Sequence, residues 1–444
     1  MLFSLKSVVV LTLAVTSLVS AHPHHGIPYP AHLLKDSHRP AVPAASAVAS
    51  PVAARTKLSA YVTDWSPPAS IAWSKLDNVY YAFGIPDQTG ALGNFDPTKL
   101  ASVVSQAHSN NKTVSLSVGG WTGSLHFSDL VSTAASRESF ATILTKAVSD
   151  YNLDGIDIDW EYPNSPNGVS CNSINSADTT NFLSLMQLLR QKLGANKLIT
   201  AAVAIAPFFD GSQEPSSYLD PAWGTTVDYL NVMVYDLAGM WNPTTGSNSA
   251  LANGGDFGSV AQAISQWTDA GFPASKLVVG CPFYGFLAAV SQPPTATNEK
   301  VPFSGTTQIQ GDQYDEQGTD PCPGATPAFS GEYQYRSIVA DGIQANQSGW
   351  TTWWDSKTST PYAYNTNKKT FLTFDNPQSL KLKADYVNKK KLGGLMMWSL
   401  EMDDAQNSLL TAMQGVRNLI EINRSFVTIL DVCTPEKEHV NAVR

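Results

Sequence analysis

Three carboxyl residues alternate with bulky apolar residues in one short segment of the sequence. Asp157, Asp159 and Glu161 are separated by Ile158 and Trp160. Strict alternation of this kind predicts a β-strand whose successive side chains point to opposite faces, so the three acids would share one face. Because like charges so close together are costly, we expect the pKa of at least one carboxyl to rise. A solvated acidic turn is the alternative, but the regular apolar alternation favours the strand.

Glu161 is the last acid of this row, where the predicted strand meets its loop. A carboxylic acid that stays protonated there could donate a proton to a leaving oxygen, which is general acid catalysis. Residues 154–161 also resemble the signature Asp-Gly-x-Asp-x-Asp-Trp-Glu of the family 18 glycoside hydrolases, the chitinases, and every fixed position matches. The resemblance extends over roughly residues 57–414 and implies that Glu161 is the catalytic acid.

A second motif of the same family, Ser-x-Gly-Gly, is matched by residues 117–120 at the end of the preceding predicted strand. Paired glycines allow a backbone to approach a ligand closely, so Gly120 is a predicted substrate contact. The resemblance implies that Ser117 and Tyr61 belong to the substrate-binding site. Both are expected to donate hydrogen bonds to Asp157 inside the barrel. For Tyr61, filling of the core is the alternative.

Two further strand ends match the family. Residues 233–236 read Met-Val-Tyr-Asp and match Met-x-Tyr-Asp, with Met233 and Tyr235 predicted on one face of a strand. Trp398 matches the tryptophan that forms the floor of the subsite where the sugar is cleaved, and aromatic faces stack well on pyranose rings. By resemblance, further substrate contacts are expected from Trp65, Trp121, Trp241, Phe83 and Tyr284, with a structural role as the alternative for the three tryptophans.

One departure from the family pattern follows the seventh predicted strand. The family often has Tyr-Gly-Arg there, whereas this chain has Tyr284, Gly285 and Phe286. If the arginine contacts substrate in relatives, that contact is missing here.

The resemblance implies a substrate-assisted mechanism in which the substrate's own acetamido group acts as the nucleophile. Glu161 would protonate the glycosidic oxygen, while Asp159 would orient the acetamido group and Asp157 would share a proton with Asp159. Tyr235 would hydrogen-bond the acetamido oxygen, and Asp236 would bind and help to distort the sugar. Neither a cofactor nor a metal ion is expected.

The elements that must position these residues alternate between strands and helices, which predicts an α/β fold, the (β/α)8 TIM barrel. In that fold, catalytic residues collect at the C-terminal ends of the strands. The predicted strands are residues 58–65, 76–84, 113–120, 153–161, 198–206, 227–236, 276–285 and 392–400. The predicted helices are residues 97–110, 136–151, 177–193, 259–270, 377–390 and 405–419.

Residues 286–375 interrupt this repeat and are rich in aromatic residues. A structureless loop of this length inside a barrel is improbable. We therefore predict a small α+β subdomain inserted between strand 7 and helix 7, forming one wall of a cleft.

The two ends of the chain differ from the barrel region. Residues 1–21 read as a signal peptide, with an apolar run before a small-residue cleavage site, which predicts secretion. Residues 22–55 read as a Pro/Ala/His-rich linker or disordered arm, 56–423 as the catalytic barrel and 424–444 as a polar tail. Possible glycosylation sites are Asn111, Asn346 and Asn423.

Composition limits the partners. The formal net charge is −9 and the pI is near 5.3, which disfavours nucleic acid and anionic membranes. Chitin and chitooligosaccharides are the expected partners, and the protein is expected to be a monomer. Enzymes that cut the chitobiose core of N-glycans (endo-β-N-acetylglucosaminidases) and chitin-binding lectins with the same barrel are the alternatives.

The chain has only four cysteines, and their pairing stays open. Cys171 and Cys322 lie in polar, loop-like segments and are the better candidates for a disulfide. Cys281 lies in an apolar strand and is expected to be a buried thiol.

Overall fold

The computed structural model describes residues 56–68, 70–252 and 256–417. The predicted signal peptide, the linker and the C-terminal tail lie outside the described residues, as do Asn423 and Cys433.

Parallel strands close into an eight-stranded barrel with helices between them, as the sequence predicted. The barrel consists of β1, β2, β4 to β8 and β14, and pairing of β1 with both β14 and β2 closes it. In chain order the strands are β1 (Lys57–Thr63), β2 (Asn78–Pro86), β3 (Leu92–Gly93), β4 (Thr113–Gly119), β5 (Gly155–Asp159), β6 (Leu198–Val203), β7 (Tyr229–Val232), β8 (Leu277–Pro282), β9 (Tyr284–Ala289), β10 (Glu332–Gln334), β11 (Trp350–Asp355), β12 (Thr360–Asn365), β13 (Thr370–Thr373) and β14 (Gly394–Trp398).

The helices start close to their predicted positions because the sequence carries clear N-terminal signals. Asp96 caps α1 and Asn376 caps α8 in a capping box with Ser379, each just before a proline at the first helical position. The helices are α1 (Pro97–Ser109), α2 (Phe127–Val131), α3 (Ala134–Asp150), α4 (Asp178–Leu193), α5 (Ala222–Thr226), α6 (Val260–Asp269), α7 (Tyr335–Ala340), α8 (Pro377–Lys390) and α9 (Ser408–Met413).

The alternation in β5 has the predicted structural effect. Trp160, just beyond the strand, lies on the helix-facing side, where it stacks on Phe127 at 5.3 Å and meets Phe182 edge-on at 5.4 Å. The acids take the opposite face, towards the barrel interior. Register places Asp157 beside Ser117 of β4 and Thr200 of β6.

Seven of the eight predicted barrel strands were too long at their C-terminal ends, and β2 is the exception. β5 ends at Asp159 and β7 at Val232, because the chain turns out of the ladder beyond these points. After Met233 donates to the carbonyl of Val203, Val234 donates back to the carbonyl of Val232 instead of to a neighbouring strand. The predicted seventh strand is two strands, since β8 belongs to the barrel and β9 to a second sheet.

The second sheet lies in the inserted subdomain, which is an α+β unit as predicted. Its five antiparallel strands have the order β10-β9-β13-β12-β11, and α7 follows β10 directly. The first strand of this sheet begins at Tyr284, so the inserted unit departs from the barrel almost as soon as β8 ends.

A disulfide joins Cys171 to Cys322 across 151 residues of sequence, which confirms the favoured pair, and Cys281 is a buried free thiol as expected. None of the helices in the described ranges combines the length and the apolar character that a bilayer crossing requires.

Candidate active site

Asp157 lies at the centre of a buried hydrogen-bond network in the barrel. Its Oδ2 accepts from Tyr61 Oη at 2.7 Å and from Ser117 Oγ at 2.8 Å. Its Oδ1 accepts from Thr200 Oγ1 at 2.6 Å and from Asn231 Nδ2 at 3.4 Å. The two hydrogen bonds that the family resemblance implied are therefore present, and two strands on the other side add two more donors.

The pKa of Asp157 is raised, as predicted for at least one acid of the row. The main cause differs from the predicted crowding of like charges: burial of the carboxyl in the barrel raises the pKa, and hydrogen bonds from Thr200, Tyr61, Ser117 and Asn231 only partly offset it. Asp157 therefore binds a proton more readily than an exposed aspartate.

Glu161 lies two residues beyond β5, at the C-terminal mouth of the barrel. Its backbone is held on both sides: its N–H donates to Ser124 Oγ at 2.9 Å, and its carbonyl accepts from Asn172 Nδ2 at 2.8 Å. The residue is completely buried. The loops after β4 and β5 thus fix the position of the predicted acid through its main chain.

Close packing around Gly119 and Gly120 gives both glycines a structural role, while the contact of Gly120 with substrate stays a prediction. Both have positive φ, and a Cβ on Gly119 would lie 2.2 Å from the carbonyl oxygen of Asp159. A Cβ on Gly120 would lie 2.8 Å from the ring of Phe83. The N–H of Gly120 donates to the carbonyl of Asp159 at 2.8 Å. The glycines therefore let the loop after β4 close against the catalytic strand and against Phe83.

Tyr235, Asp236 and Tyr284 form a second group at the mouth. Tyr284 Oη donates to Asp236 Oδ1, and the Asp236 N–H donates to Asn248 Oδ1 at 2.8 Å. The Tyr235 ring meets Tyr284 edge-on at 6.3 Å and passes over Gly280, where a Cβ would lie 2.8 Å from the ring.

Burial raises the pKa of Tyr235, and the neighbouring carboxylates of Asp159, Asp236 and Glu161 raise it further. Tyr235 is therefore a neutral hydroxyl that lies close to the acids of both β5 and the loop after β7. Met233 is buried in the same segment.

An aromatic floor is built from the ends of three neighbouring strands. Trp398 stacks on Phe83 with ring centroids 5.5 Å apart and an interplanar angle of 17°, and it lies 5.4 Å from Tyr61. Trp65 completes the group, 6.3 Å from both Phe83 and Trp398. These four predicted site residues are brought together by the barrel.

Trp121 and Trp241 lie outside this floor. The Trp121 indole N–H donates to Asp320 Oδ1 at 3.0 Å, and the ring is almost completely buried. Half-buried Trp241 meets Phe286 edge-on at 5.2 Å and packs against Gly239. Phe286, which occupies the position of the family's arginine, therefore supports an aromatic ring.

Sequence reasoning missed several residues that hold the site. Thr200 and Asn231 are polar residues in otherwise apolar barrel strands, a signal that could have identified them as partners of a buried acid. Ser124 and Asp320 carry no such signal, because they lie in loops whose positions depend on the tertiary structure. Among the residues that the structure describes, no group of three His, Cys, Asp or Glu side chains is placed to hold a metal ion.

Comparison with known proteins agrees with the fold and the motifs. The model of glycosyl hydrolases family 18 matches residues 57–403. A solved chitinase structure from Rhizomucor miehei has a TM-score of 0.80 and 48% identity, covering 82% of this chain and 100% of that chain. A chitinase-like effector from Moniliophthora perniciosa is 34% identical over 381 residues, which is 80% of this chain and 85% of the relative. Chitinase A1 from Niallia circulans is 33% identical over 379 residues, 77% of this chain and 50% of the relative.

The family match spans the whole barrel and its insertion, from β1 to the residues that follow β14. It also includes both acid-bearing segments, residues 154–161 and 233–236. The chain belongs to glycosyl hydrolases family 18.

Proposed function

We propose that this protein is a secreted chitinase that hydrolyses β-1,4 linkages between N-acetylglucosamine units of chitin and chitooligosaccharides, with retention and with assistance from the substrate. The chain is a glycoside hydrolase of the chitinase class, in keeping with its family and with the relatives named above. One observation carries the finer proposal: β5 directs Asp157, Asp159 and Glu161 towards the barrel mouth, where Glu161 and Asp159 lie near Tyr235.

In the first step, Glu161 donates its proton to the glycosidic oxygen, and the bond from that oxygen to the anomeric carbon breaks. The carbonyl oxygen of the acetamido group on the same sugar bonds to the anomeric carbon and gives an oxazolinium ion. Asp159 orients the acetamido N–H and stabilises the positive charge. In the second step, water attacks the anomeric carbon while Glu161 takes a proton from the water, and the bond from that carbon to the acetamido oxygen breaks. This regenerates the acetamido group and restores the original configuration.

The remaining acids and tyrosines prepare the sugar for this reaction. Asp157, with its raised pKa, holds a proton that it shares with Asp159. Tyr235 donates a hydrogen bond to the acetamido oxygen, and its raised pKa keeps the hydroxyl protonated. Asp236, held by Tyr284, binds the sugar and favours its distorted form. Trp398 and Phe83 provide the apolar surface beneath the ring.

The test is a product time course with chitohexaose and with a 4-nitrophenyl chitobioside, with the anomeric form of the products followed by NMR. We expect oligosaccharides whose new reducing ends first appear in the β form, as retention requires. A parallel incubation with a glycoprotein substrate addresses the N-glycan alternative. Initial appearance of the α form would contradict the mechanism, and release of N-glycans without cleavage of chitohexaose would contradict the substrate.

Secretion is supported by the N-terminal apolar segment and by the Cys171–Cys322 disulfide, because disulfides persist mainly in oxidising compartments. N-terminal sequencing of protein recovered from the culture medium tests it. The expected result is a mature chain that begins after Ala21, and retention of the intact chain inside the cell would contradict it.

A chitin-binding lectin is the second candidate function. Two relatives, from Moniliophthora perniciosa and Moniliophthora roreri, are named chitinase-like effectors, a name that does not itself state hydrolysis. Binding of chitohexaose without any turnover would favour this function. The presence of Glu161, Asp159 and Tyr235 in the site favours the enzyme.

A further inference from the structure

The inserted sheet ends in an edge strand that is rich in tryptophan. Strand β11 reads Trp-Thr-Thr-Trp-Trp-Asp, and among the residues that the structure describes it pairs only with β12. Its other side therefore presents backbone N–H and C=O groups outwards, which makes an apolar edge strand a template for pairing with another chain. Only the last residue of β11 is charged, so charge does not protect most of this edge.

A loop protects the first part of the edge. Residues 341–349 follow α7 and lead into β11, and we call them the edge loop. The Trp350 N–H donates to the carbonyl of Gln347 at 3.0 Å, and the Thr352 N–H donates to Asn346 Oδ1 at 2.7 Å. Both N–H groups therefore point away from β12. By the alternation of an antiparallel strand, the N–H of Trp354 points the same way, in the part of the edge that neither bond covers.

The ring of Trp354 lies on the face of β11 that turns towards the edge loop. Thr352, two residues earlier and on the same face, donates from Oγ1 to the carbonyl of Ile343 at 2.9 Å. Trp353 takes the opposite face, where its ring packs against Tyr362 at 5.6 Å. Trp354 is only half-buried. Part of a large apolar ring is thus exposed beside the uncovered part of the edge.

Asn346 begins the sequence Asn-Gln-Ser, which is an acceptor for N-glycosylation in secreted proteins. Both Asn346 and Ser348 are exposed on the edge loop. The Thr352 N–H requires an acceptor, so its bond fixes Oδ1 of Asn346 towards β11 and leaves Nδ2, the atom that carries a glycan, free of that contact. The side chain can therefore carry a sugar and still accept the hydrogen bond.

Amide geometry decides where a sugar on Asn346 would lie. In a planar trans amide, the carbon on the nitrogen lies on the same side of the C–N bond as the carbonyl oxygen. The first sugar would thus lie beside Oδ1, on the side of the amide that faces β11. Same-face residues of a strand are about 7 Å apart, so a short glycan that starts beside Thr352 reaches the ring of Trp354. The apolar face of a pyranose stacks well on such a ring.

From these observations we propose that Asn346 carries an N-glycan whose first sugars cover the open part of β11 and the ring of Trp354. The glycan keeps two copies of the protein from pairing edge to edge. The inference rests on the proposed secretion, because N-glycans are added to chains that enter the secretory pathway.

The glycan is added by group transfer from a lipid-linked oligosaccharide diphosphate. Nδ2 of Asn346 attacks the anomeric carbon of the first sugar, and a new C–N bond forms. The bond from that carbon to the diphosphate oxygen breaks, and the lipid diphosphate leaves with the electron pair. Nδ2 loses one proton to solvent, so the amide stays neutral. Ser348 completes the acceptor sequence and is not itself modified.

The first test asks whether Asn346 is occupied. Wild-type protein and Ser348→Ala are secreted from a yeast host and purified from the medium. The substitution removes the acceptor sequence but keeps Asn346 and its bond to Thr352. Removal of glycans with peptide N-glycosidase F in heavy-oxygen water, followed by peptide mass spectrometry, detects occupancy as conversion of Asn346 to a labelled aspartate. We expect occupancy in the wild type and none in Ser348→Ala.

The second test asks whether the glycan covers the edge, with self-association measured by analytical ultracentrifugation. We expect Ser348→Ala to associate at least about tenfold more tightly than the wild type, because its edge strand is uncovered. Adding Trp354→Thr to Ser348→Ala should reverse this gain. The matched control is Asn111→Gln, which removes the acceptor sequence just before β4, at the N-terminal end of the barrel. It should behave as the wild type does.

An unmodified Asn346 in protein from the medium would overturn the proposal. Equal association of the wild type and Ser348→Ala would overturn it too, as would an association that Trp354→Thr leaves unchanged. If Ser348→Ala does not fold, wild-type protein deglycosylated under native conditions takes its place under the same criteria.

The same samples separate this inference from the proposed function. An unmodified chain in the medium contradicts the glycan alone, whereas an unmodified chain retained in the cell contradicts both the glycan and secretion. Absence of chitohexaose turnover from every protein contradicts the chitinase function and not the glycan.

Discussion

Asp157 in the barrel and Glu332 in the inserted sheet are both buried carboxyl groups, but their surroundings differ. Four neutral donors from four strands surround Asp157, and together they offset part of the pKa rise that burial causes. Glu332 has one side-chain donor, Gln334 Nε2 at 3.0 Å. Burial raises the pKa of Glu332 from 4.5 to about 8, and the nearby carboxylates of Asp312, Asp315 and Asp236 contribute.

This difference shows how neighbouring donors oppose the rise in pKa that burial of an acid causes. A closed barrel brings polar groups from several strands to one point, so a carboxylate can be solvated by the protein itself. Glu332 lies on a three-residue edge strand of a small sheet, where fewer donors converge. Glu299 in the same subdomain is similar, with a pKa raised to about 8 by burial and by the carboxylate of Asp355.

The barrel side of the comparison gives the largest expected effect on activity. Glu161→Gln keeps the shape of the side chain and removes the proton that the mechanism needs, so turnover of chitohexaose should fall by about 10²- to 10⁴-fold. Chitohexaose binding and the free energy of unfolding should stay close to wild type. Near-full activity in this variant would remove Glu161 from the mechanism. The matched control is Glu138→Gln on the surface of α3.

The junction between barrel and insertion should show the largest loss of stability. Lys383 of α8 and Asp375 form a fully buried ion pair at 2.9 Å, and Lys383 also donates to Ser249 Oγ at 2.7 Å. Lys383→Met leaves Asp375 buried without its counter-charge, which should cost about 3–5 kcal/mol of unfolding free energy.

Urea unfolding measures this loss. Lys381→Met on the same helix is the control. Lys381 forms an exposed ion pair with Asp385, and such a pair contributes less than about 1 kcal/mol to the free energy of unfolding. Equal losses in the two variants would mean that the buried pair has no special role.

The inserted sheet should show the clearest dependence on pH. The folded-state pKa of Glu332 lies above its unfolded value, so its contribution to stability is fully present below about pH 4.5 and is lost as pH rises towards about 8. Glu332→Gln removes this titration. The stability of wild type relative to Glu332→Gln should therefore fall by about 2–4 kcal/mol across that window.

Urea unfolding of both proteins at a series of pH values measures this difference in unfolding free energy. Both proteins contain Glu299, so the titration of Glu299 cancels from the difference. Glu316→Gln, an exposed acid near the same strand, should show no such trend relative to wild type. A pH-independent difference between wild type and Glu332→Gln would show that Glu332 is ionised in the folded protein throughout.

The smallest effect is expected from removing one donor of the Asp157 network. Thr200→Val keeps the size of the side chain but deletes the hydrogen bond to Asp157 Oδ1, at a cost of about 1–3 kcal/mol. The pKa of Asp157, followed by NMR, should rise further, as the comparison with Glu332 requires. Thr142→Val, at an exposed helix position, is the control. An unchanged pKa would mean that Asn231 replaces the lost donor.

The sequence by itself determined the barrel and the centre of the site. Alternation places Asp157, Asp159 and Glu161 on one face because the side-chain period of a strand is a local property. The motifs, through the family resemblance, also identified Tyr61 and Ser117 as partners of Asp157. The start of α8 was predictable because its capping signals, Asn376 and Pro377, are adjacent in sequence.

Only the tertiary structure decided how the ends of the strands are used. The paired glycines predicted a close approach at Gly120, but they could not indicate that the ring of Phe83 is one of the groups that approach it. The four cysteines allowed several pairings, and the contact between Asp320 and Trp121 joins residues 199 positions apart. Such contacts depend on where a loop of the inserted subdomain ends in space, and no local pattern encodes that position.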